Sequence, residues 1–161
     1  YAALAAAGSL SIADAARLLR LRGEAMQAAV APGVGAMAAL IGTDVEAARG
    51  IAEAASLESG GAVCDVANDN GGGQVVLSGD RAAVERAVGI ATERGVKRAV
   101  MLNVSAPFHC RLMAPAADAM EAALAKVDLK APRVTLYANV TAAPVAGPEA
   151  IRAALVEQVT E

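Results

Sequence analysis

The chain has 161 residues, a formal net charge of −3 and a sequence pI of about 5.2. Aromatic residues make up only 2% of it and no basic tract is present, so we expect no nucleic-acid partner. The length suits one domain with a sizeable core, built here from aliphatic residues and methionine, and no apolar run is long enough to span a bilayer.

Two cysteines, Cys64 and Cys110, lie in different predicted elements and lack the spacing of metal ligands. They therefore predict free thiols in a reducing cytoplasm and no metal site. No signal peptide is visible, which favours the same compartment.

The first two predicted elements are helices. Residues 1–8 are typical of the second half of a helix that ends at Gly8. Because no cap or initiator Met comes first, we expect a piece of a longer chain. Ser11 caps a second helix, on which Arg22 and Met26 are four residues apart and share one face. Its apolar positions at helical spacing are Ile12, Ala15, Ala16, Leu19, Met26 and Val30.

The next stretch, residues 35–103, alternates short apolar runs with helical patterns. Its order is strand, helix, strand, strand, helix, strand, which is the split βαβ or ferredoxin-like order. The two central strands are predicted to form a hairpin through a glycine-rich turn at 69–73. We predict strands at 35–41, 63–68, 74–78 and 96–104, and helices at 44–55 and 80–94. Thr43 or Asp44 is expected to cap the first of these helices and Asp80 the second.

The stretch from residue 104 to 113 holds the only histidine and the only phenylalanine of the chain. It lies between the last of these strands and a predicted helix, where side chains are often exposed for function. A neutral imidazole can take up a proton and return it, so His109 is a candidate general base. A packed or solvated histidine without a role is the alternative. A dyad with Cys110 is not expected, because neighbouring side chains on a turn seldom face each other.

The remaining elements are a helix at 113–126, a strand at 134–140 and a helix from 148 to about 158. They have no sheet of their own to pack on. We therefore predict that residues 1–34 and 104–161 belong to a larger α/β domain into which the unit 35–103 is inserted. The helices at 11–30 and 113–126 should then expose apolar faces.

Several short motifs, taken in this order and at these spacings, carry a resemblance over essentially the whole chain. They are Tyr-Ala-Ala-Leu at 1–4, Arg-Gly-Glu-Ala-Met-Gln at 22–27, Gly-Val-Gly-Ala-Met-Ala-Ala at 33–39, Asn-Asp-Asn at 68–70, Gly-Gln-Val-Val-Leu-Ser-Gly at 73–79, Ser-Ala-Pro-Phe-His-Cys at 105–110 and Ala-Ala-Leu-Val-Glu-Gln at 153–158. The chain resembles the central part of the malonyl-CoA:acyl carrier protein transacylases of bacterial fatty acid synthesis. It is also similar, more loosely, to the acyltransferase domains of polyketide and fatty acid synthases.

The resemblance implies an α/β-hydrolase-like acyltransferase domain that carries the ferredoxin-like unit as an insertion. It implies transfer of malonyl from coenzyme A to the phosphopantetheine thiol of acyl carrier protein through an acyl-serine. In that family the serine lies in a Gly-His-Ser-Leu-Gly-Glu elbow just before the Tyr-Ala-Ala-Leu motif. It would therefore precede Tyr1, and this chain alone is expected to be inactive. No metal or redox cofactor, no membrane partner and a monomeric intact enzyme in the cytoplasm are also implied.

Five residues receive roles from the resemblance. His109 matches the base, and the backbone carbonyl of Gln158 is its expected partner. Arg22 matches the arginine that pairs with the malonyl carboxylate, a task that suits a planar guanidinium. Met26 shares the face of Arg22 and is a candidate substrate contact. Phe108 directly precedes the base and is expected to border the acyl α-carbon.

Each of these assignments has a structural alternative. Arg22 is also compatible with a helix surface, and Met26 with the core. Asn68 and Asn70 are favoured as turn residues. The glycines at 71–73 do not form a phosphate loop, because no Lys-Ser/Thr follows them. For the whole chain, the alternatives are a non-catalytic ferredoxin-like binding module and a polyketide-type acyltransferase.

Overall fold

The computed structural model describes all residues from Tyr1 to Glu161 as a mixed α/β protein. The helices are α1 (Ala2–Ala6), α2 (Ile12–Ala29), α3 (Val45–Glu58), α4 (Arg81–Glu93), α5 (Ala114–Leu124) and α6 (Pro148–Glu157), with a 3-10 turn at Arg111–Met113. The strands are β1 (Gly35–Ile41), β2 (Cys64–Asp69), β3 (Gln74–Asp80), β4 (Arg98–Met101), β5 (Leu136–Ala138) and β6 (Ala143–Val145). None of the helices combines the length and the apolar character needed to cross a membrane.

Four of the strands form one sheet in the order β2-β3-β1-β4, and every adjacent pair is antiparallel. In the middle of β1, Ala38 pairs with Leu77 on one side and Met101 on the other. Helices α3 and α4 cover one face of this sheet, where 15 buried residues form a cluster. The predicted element order from residue 35 to 101 is therefore confirmed.

A second cluster of 13 buried residues holds the other helices together. Leu18 of α2 belongs to it together with Met120 and Leu124 of α5, so one face of each of these two helices is covered. The expected exposure of apolar residues is confirmed for part of α2, but the predicted buried stripe on that helix is wrong in part. Ile12 is 81% exposed and Leu19 is 48% exposed, because the buried face runs through Leu18 instead.

Three local predictions differ from the structure. The last strand of the sheet ends at Met101 rather than at residue 104, since the backbone bond from Leu102 to Met37 is the last one to β1. The carboxylate of Asp80 does not cap α4 but accepts a hydrogen bond from the Val63 amide at 2.7 Å. The predicted strand at 134–140 is short, and it pairs with β6 in a two-stranded hairpin that we did not predict.

Two other helix caps predicted from local sequence, those of α2 and α3, are confirmed. The Ser11 hydroxyl accepts a hydrogen bond from the Asp14 amide at 3.0 Å and begins α2. The Asp44 carboxylate accepts one from the Ala47 amide at 2.8 Å and begins α3. Each bond satisfies an amide that the first turn of a helix leaves free.

Candidate active site

His109 lies on a tight turn between β4 and the 3-10 turn, and its ring is half-buried. Its φ angle is 56°, in the left-handed region that a residue with a side chain enters at a cost of about 1–2 kcal/mol. The turn directs the ring away from the sheet and toward the end of α6. There, Nδ1 lies 2.9 Å from the main-chain oxygen of Gln158 and 2.9 Å from that of Glu161.

These contacts decide which ring nitrogen of His109 carries the proton. A main-chain oxygen only accepts hydrogen bonds, so Nδ1 must be the donor. In the neutral ring, Nε2 is then left with a free lone pair and can accept a proton from another group. The expected contact of His109 with the carbonyl of Gln158 is therefore present, and it leaves Nε2 as the proton acceptor of the neutral ring.

The segment that precedes His109 is packed tightly against the four-stranded sheet. A Cβ atom placed on Gly35 would lie only 2.2 Å from Cγ of Pro107, so β1 needs glycine where the proline ring crosses it. Phe108 packs on the sheet face opposite α3 and α4, against a small cluster of Met37, Ala67 and Val76. The backbone before the turn is thus held by contacts with β1 and its neighbours.

The segment that follows His109 is fastened to the edge strand β2. Oδ2 of Asp65 accepts a hydrogen bond from the Arg111 amide at 2.9 Å. The same carboxylate accepts from Nε of Arg111, at 3.0 Å and 3.1 Å to its two oxygens, and forms an ion pair with the guanidinium. Neither residue was singled out from the sequence, because nothing in the local pattern joins positions 46 residues apart.

A cleft of about 560 Å³ opens beside His109 between the end of β2, the β5–β6 turn and the end of α6. Its other lining residues are Val66, Ala67, Asn68, Asp69, Asn70, Asn139, Val140, Ala142, Gln158 and Glu161. Asn68 and Asn70 therefore border the cleft in addition to belonging to the turn, where Asp69 accepts a hydrogen bond from the Gly71 amide at 2.9 Å. The sequence did not predict that the β5–β6 turn around Asn139 lines this cleft, because residues 134–140 were interpreted as one strand.

Arg22 and Met26 lie on α2 and are not among the residues that line this cleft. Arg22 is half-buried and has no acidic partner in the chain. Burial raises the pKa of the Tyr1 phenol, and the neighbouring guanidinium of Arg22 opposes this rise. Met26 is only 2% exposed and belongs to the helical core.

Both cysteines are buried free thiols. Burial raises the pKa of Cys64 to about 12 and also raises that of Cys110. The Cys110 thiol donates to the carbonyl of Pro107 at 3.1 Å. It therefore has a partner other than the His109 ring, in agreement with the expectation that no dyad forms. No cluster of three or more potential metal ligands is present.

Residues 1–159 match the acyl transferase domain family. Over 158 residues, or 98% of this chain, the sequence is 46% identical to a malonyl CoA-acyl carrier protein transacylase of Escherichia coli, of which it covers 50%. The transacylase of Bacillus subtilis is 43% identical over the same length, with 49% of it covered. The chain thus spans about half the length of the curated relatives it matches.

Solved structures give the same result. An acyl-carrier-protein S-malonyltransferase from Bartonella henselae is 56% identical, with a TM-score of 0.92 over 98% of this chain and 49% of that one. A malonyl-transacylase in complex with its type II polyketide synthase acyl-carrier protein is 40% identical, with a TM-score of 0.92 over 97% of this chain and 50% of the other. On the match of residues 1–159 and on these relatives, the chain belongs to the acyl transferase domain family.

Proposed function

We propose that the protein containing this chain transfers malonyl from coenzyme A to the phosphopantetheine thiol of acyl carrier protein. The observation that carries the proposal is the His109 ring, whose Nδ1–H is held by the main-chain oxygens of Gln158 and Glu161. That arrangement leaves Nε2 free to act as a base beside an open cleft. The curated relatives are transacylases of the same name as the proposed activity.

In the proposed mechanism, His109 serves a serine that lies in the longer protein, before Tyr1. The Oγ–H proton passes to Nε2 as Oγ attacks the thioester carbonyl, and the carbon–sulfur bond of the tetrahedral intermediate then breaks. The coenzyme A sulfur leaves with the proton from Nε2, and malonyl remains on the serine. In the second half, Nε2 takes the proton of the phosphopantetheine thiol as its sulfur attacks the acyl-serine, and returns that proton to serine Oγ.

The Nδ1 contact has a defined part in both halves. Each time Nε2 takes a proton the ring becomes an imidazolium, and both of its nitrogens are then donors. The main-chain oxygens of Gln158 and Glu161 accept from Nδ1 in both protonation states, so the ring does not need to turn between steps. A carbonyl dipole in this place performs the orienting role that a carboxylate has in other triads.

Arg22 is proposed to bind the free carboxylate of the malonyl group. Burying a carboxylate without a partner is costly, and a guanidinium offsets that cost with two parallel hydrogen bonds. Two observations support the assignment: Arg22 is half-buried, and it has no acidic partner in the chain. Other arginines of α2 differ, since Arg17 pairs with Asp14 and Arg20 with Glu24.

Phe108 and Met26 are proposed to shape the acyl pocket. Phe108 directly precedes the base and packs against Ala67, which also lines the cleft, so its ring is suited to limit the space beside the acyl α-carbon. Met26 lies one turn after Arg22 on the same helix face. Met26 is buried in the core. We propose that it packs under the Arg22 side chain and borders the acyl pocket on the helix face that the two residues share.

We also propose how the chain divides. Residues 35–103 would form a ferredoxin-like βαββαβ subdomain, and residues 1–34 and 104–161 would belong to a larger α/β-hydrolase-like subdomain. The separate buried clusters support this division, one between the sheet and α3 and α4, the other among α2, α5 and α6. The intact enzyme is proposed to be a cytoplasmic monomer that needs only the coenzyme A thioester and the carrier-protein thiol.

The test uses the longer protein and this chain side by side. Each is mixed with malonyl-CoA and examined by mass spectrometry for one added malonyl group, and then with phosphopantetheinylated carrier protein. The proposal predicts an acyl-enzyme and malonyl-carrier protein from the longer protein, and no covalent label on this chain. No label on the longer protein would contradict it and favour the non-catalytic binding module. Label on this chain would contradict the placement of the nucleophile before Tyr1.

A further inference from the structure

His109 has a left-handed backbone conformation although it is not a glycine, so its side chain makes this conformation costly. Its φ angle is 56°. A residue with a side chain keeps such a conformation only where the surrounding structure fixes the chain on both sides. The contacts that fix this turn are therefore candidates for residues that decide where the imidazole points.

On the side before the turn, the fixed point is Pro107, whose ring fills the space that a side chain on Gly35 would need. On the side after the turn, it is Asp65. This carboxylate accepts from the main-chain amide of Arg111 at 2.9 Å and from its Nε at 3.0 Å, with an ion-pair distance of 2.9 Å to the terminal nitrogen. Between these points, His109 leaves the surface of the sheet and reaches the end of α6.

The pair differs from an ordinary surface ion pair in the bond to the main chain. An exposed ion pair contributes little by itself, and the Arg111 side chain is 68% exposed. The bond from the Arg111 amide, however, fixes the backbone two residues after His109. Cys110, which lies between them, is fully buried and bonded to the Pro107 carbonyl, so a displacement at Arg111 would be passed on to the histidine.

We propose that Asp65, with Arg111, is a positioning residue for His109: it holds the turn so that Nδ1 meets the main-chain oxygens of Gln158 and Glu161, and thereby selects the Nδ1–H tautomer. Its consequence for catalysis rests on the proposed function. The tautomer itself is a property of this chain alone. The four-stranded sheet thus determines which ring nitrogen of His109 carries the proton, although the oxygens that accept it follow the end of α6.

The test reads the tautomer directly. His109 is the only histidine in the chain, so ¹⁵N-histidine labelling gives the NMR signals of a single ring. At a pH of about 8, above the usual imidazole pKa, the proton on either nitrogen is distinguished by its long-range couplings. We expect the Nδ1–H form in the unmodified chain and a mixture of the two forms in Asp65→Ala.

Three further variants sharpen the result. Arg111→Ala keeps the main-chain amide and should therefore change the tautomer less than Asp65→Ala. Asp65→Asn keeps one acceptor oxygen and should recover much of the Nδ1–H form. Arg86→Ala is the matched control, since Arg86 pairs with Glu58 and Glu93 in the same unit, away from the turn, and should leave the tautomer unchanged.

The outcomes separate this inference from the proposed function. An unchanged Nδ1–H form in folded Asp65→Ala would overturn the inference, whatever the enzyme rate. If that variant does not fold, Asp65→Leu, which keeps side-chain volume but has no acceptor oxygen for the Arg111 amide, takes its place, and an unchanged Nδ1–H form in it would overturn the inference in the same way. In the longer enzyme, Asp65→Ala should lower kcat on the order of 10–100-fold with little change in KM for malonyl-CoA. A changed tautomer with an unchanged rate would support the inference and contradict the role of His109 as base.

Discussion

The imidazole of His109 is paired with a backbone atom of Gln158 rather than with a side chain, at 2.9 Å from Nδ1 to the carbonyl oxygen. A carbonyl carries no net charge, so this contact orients the ring without a side-chain carboxylate. The contact also joins two residues that are 49 positions apart in the sequence.

This backbone partner leads to the first prediction. In the intact enzyme, Gln158→Ala should change kcat/KM by no more than about threefold, because alanine supplies the same carbonyl and the lost side chain is worth about 0.5 kcal/mol or less. Steady-state transfer of malonyl to carrier protein measures this. A loss as large as that of His109→Ala would mean that the Gln158 amide, and not its carbonyl, acts in the site.

The second prediction concerns the carboxylate of the substrate. Arg22→Ala should lower kcat/KM for malonyl-CoA while acetyl-CoA, which has no carboxylate to pair, is transferred as well as before or better. The ratio of the two kcat/KM values measures the effect. Arg20→Ala is a control on the same helix, since Arg20 is paired with Glu24 and should leave the ratio unchanged. An equal loss for both substrates would make Arg22 a structural residue.

The third prediction concerns the α-carbon of the acyl group. Phe108→Ser should relax the exclusion of methylmalonyl relative to malonyl by about 1–3 kcal/mol, the usual worth of one methyl group in an apolar pocket. Competition between the two coenzyme A esters measures it. Because Phe108 packs on Met37, Ala67 and Val76, the variant should also unfold at a lower urea concentration. An unchanged preference in a folded variant would remove Phe108 from the pocket.

The fourth prediction compares two glycines. Gly35→Ala should reduce the free energy of unfolding by about 1–3 kcal/mol, because its Cβ would overlap the rigid Pro107 ring at 2.2 Å. Gly23→Ala should raise it by about 0.5–1 kcal/mol, since this glycine lies inside α2 with no atom within 4 Å of the added methyl. Urea unfolding of both variants distinguishes them. Equal effects would show that Pro107 does not press on β1.

The parts of the fold that could be predicted are those with local signals. Ser11 and Asp44 begin helices through bonds to residues three positions later, so their capping role can be predicted from the local sequence. The β5–β6 hairpin had no such signal, since the left-handed residue in its turn is Ala142, with a φ of 50°, rather than glycine or asparagine. Residues 102–104 were likewise interpreted as strand, although their one backbone bond to β1 is that of Leu102 to Met37.

The residues of the candidate site also differ in whether the sequence carried a signal for them. His109 was recognisable as a candidate base from its chemistry, but its pairing with Gln158 came from resemblance to a family, because spacing alone does not bring distant residues together. Asp65 and Arg111 had neither signal. A single aspartate on an edge strand and an arginine after a turn look like surface residues until the fold places them within 2.9 Å of each other.

The fifth prediction concerns His109 as the base of the proposed acyl transfer. The measurement is the single-turnover rate at which the intact enzyme is acylated by malonyl-CoA, compared between the unmodified protein and His109→Ala. Circular dichroism confirms that both are folded. We expect a loss on the order of a hundredfold or more, the effect of removing a general base. Acylation of the variant at nearly the unmodified rate would show that His109 is not the base.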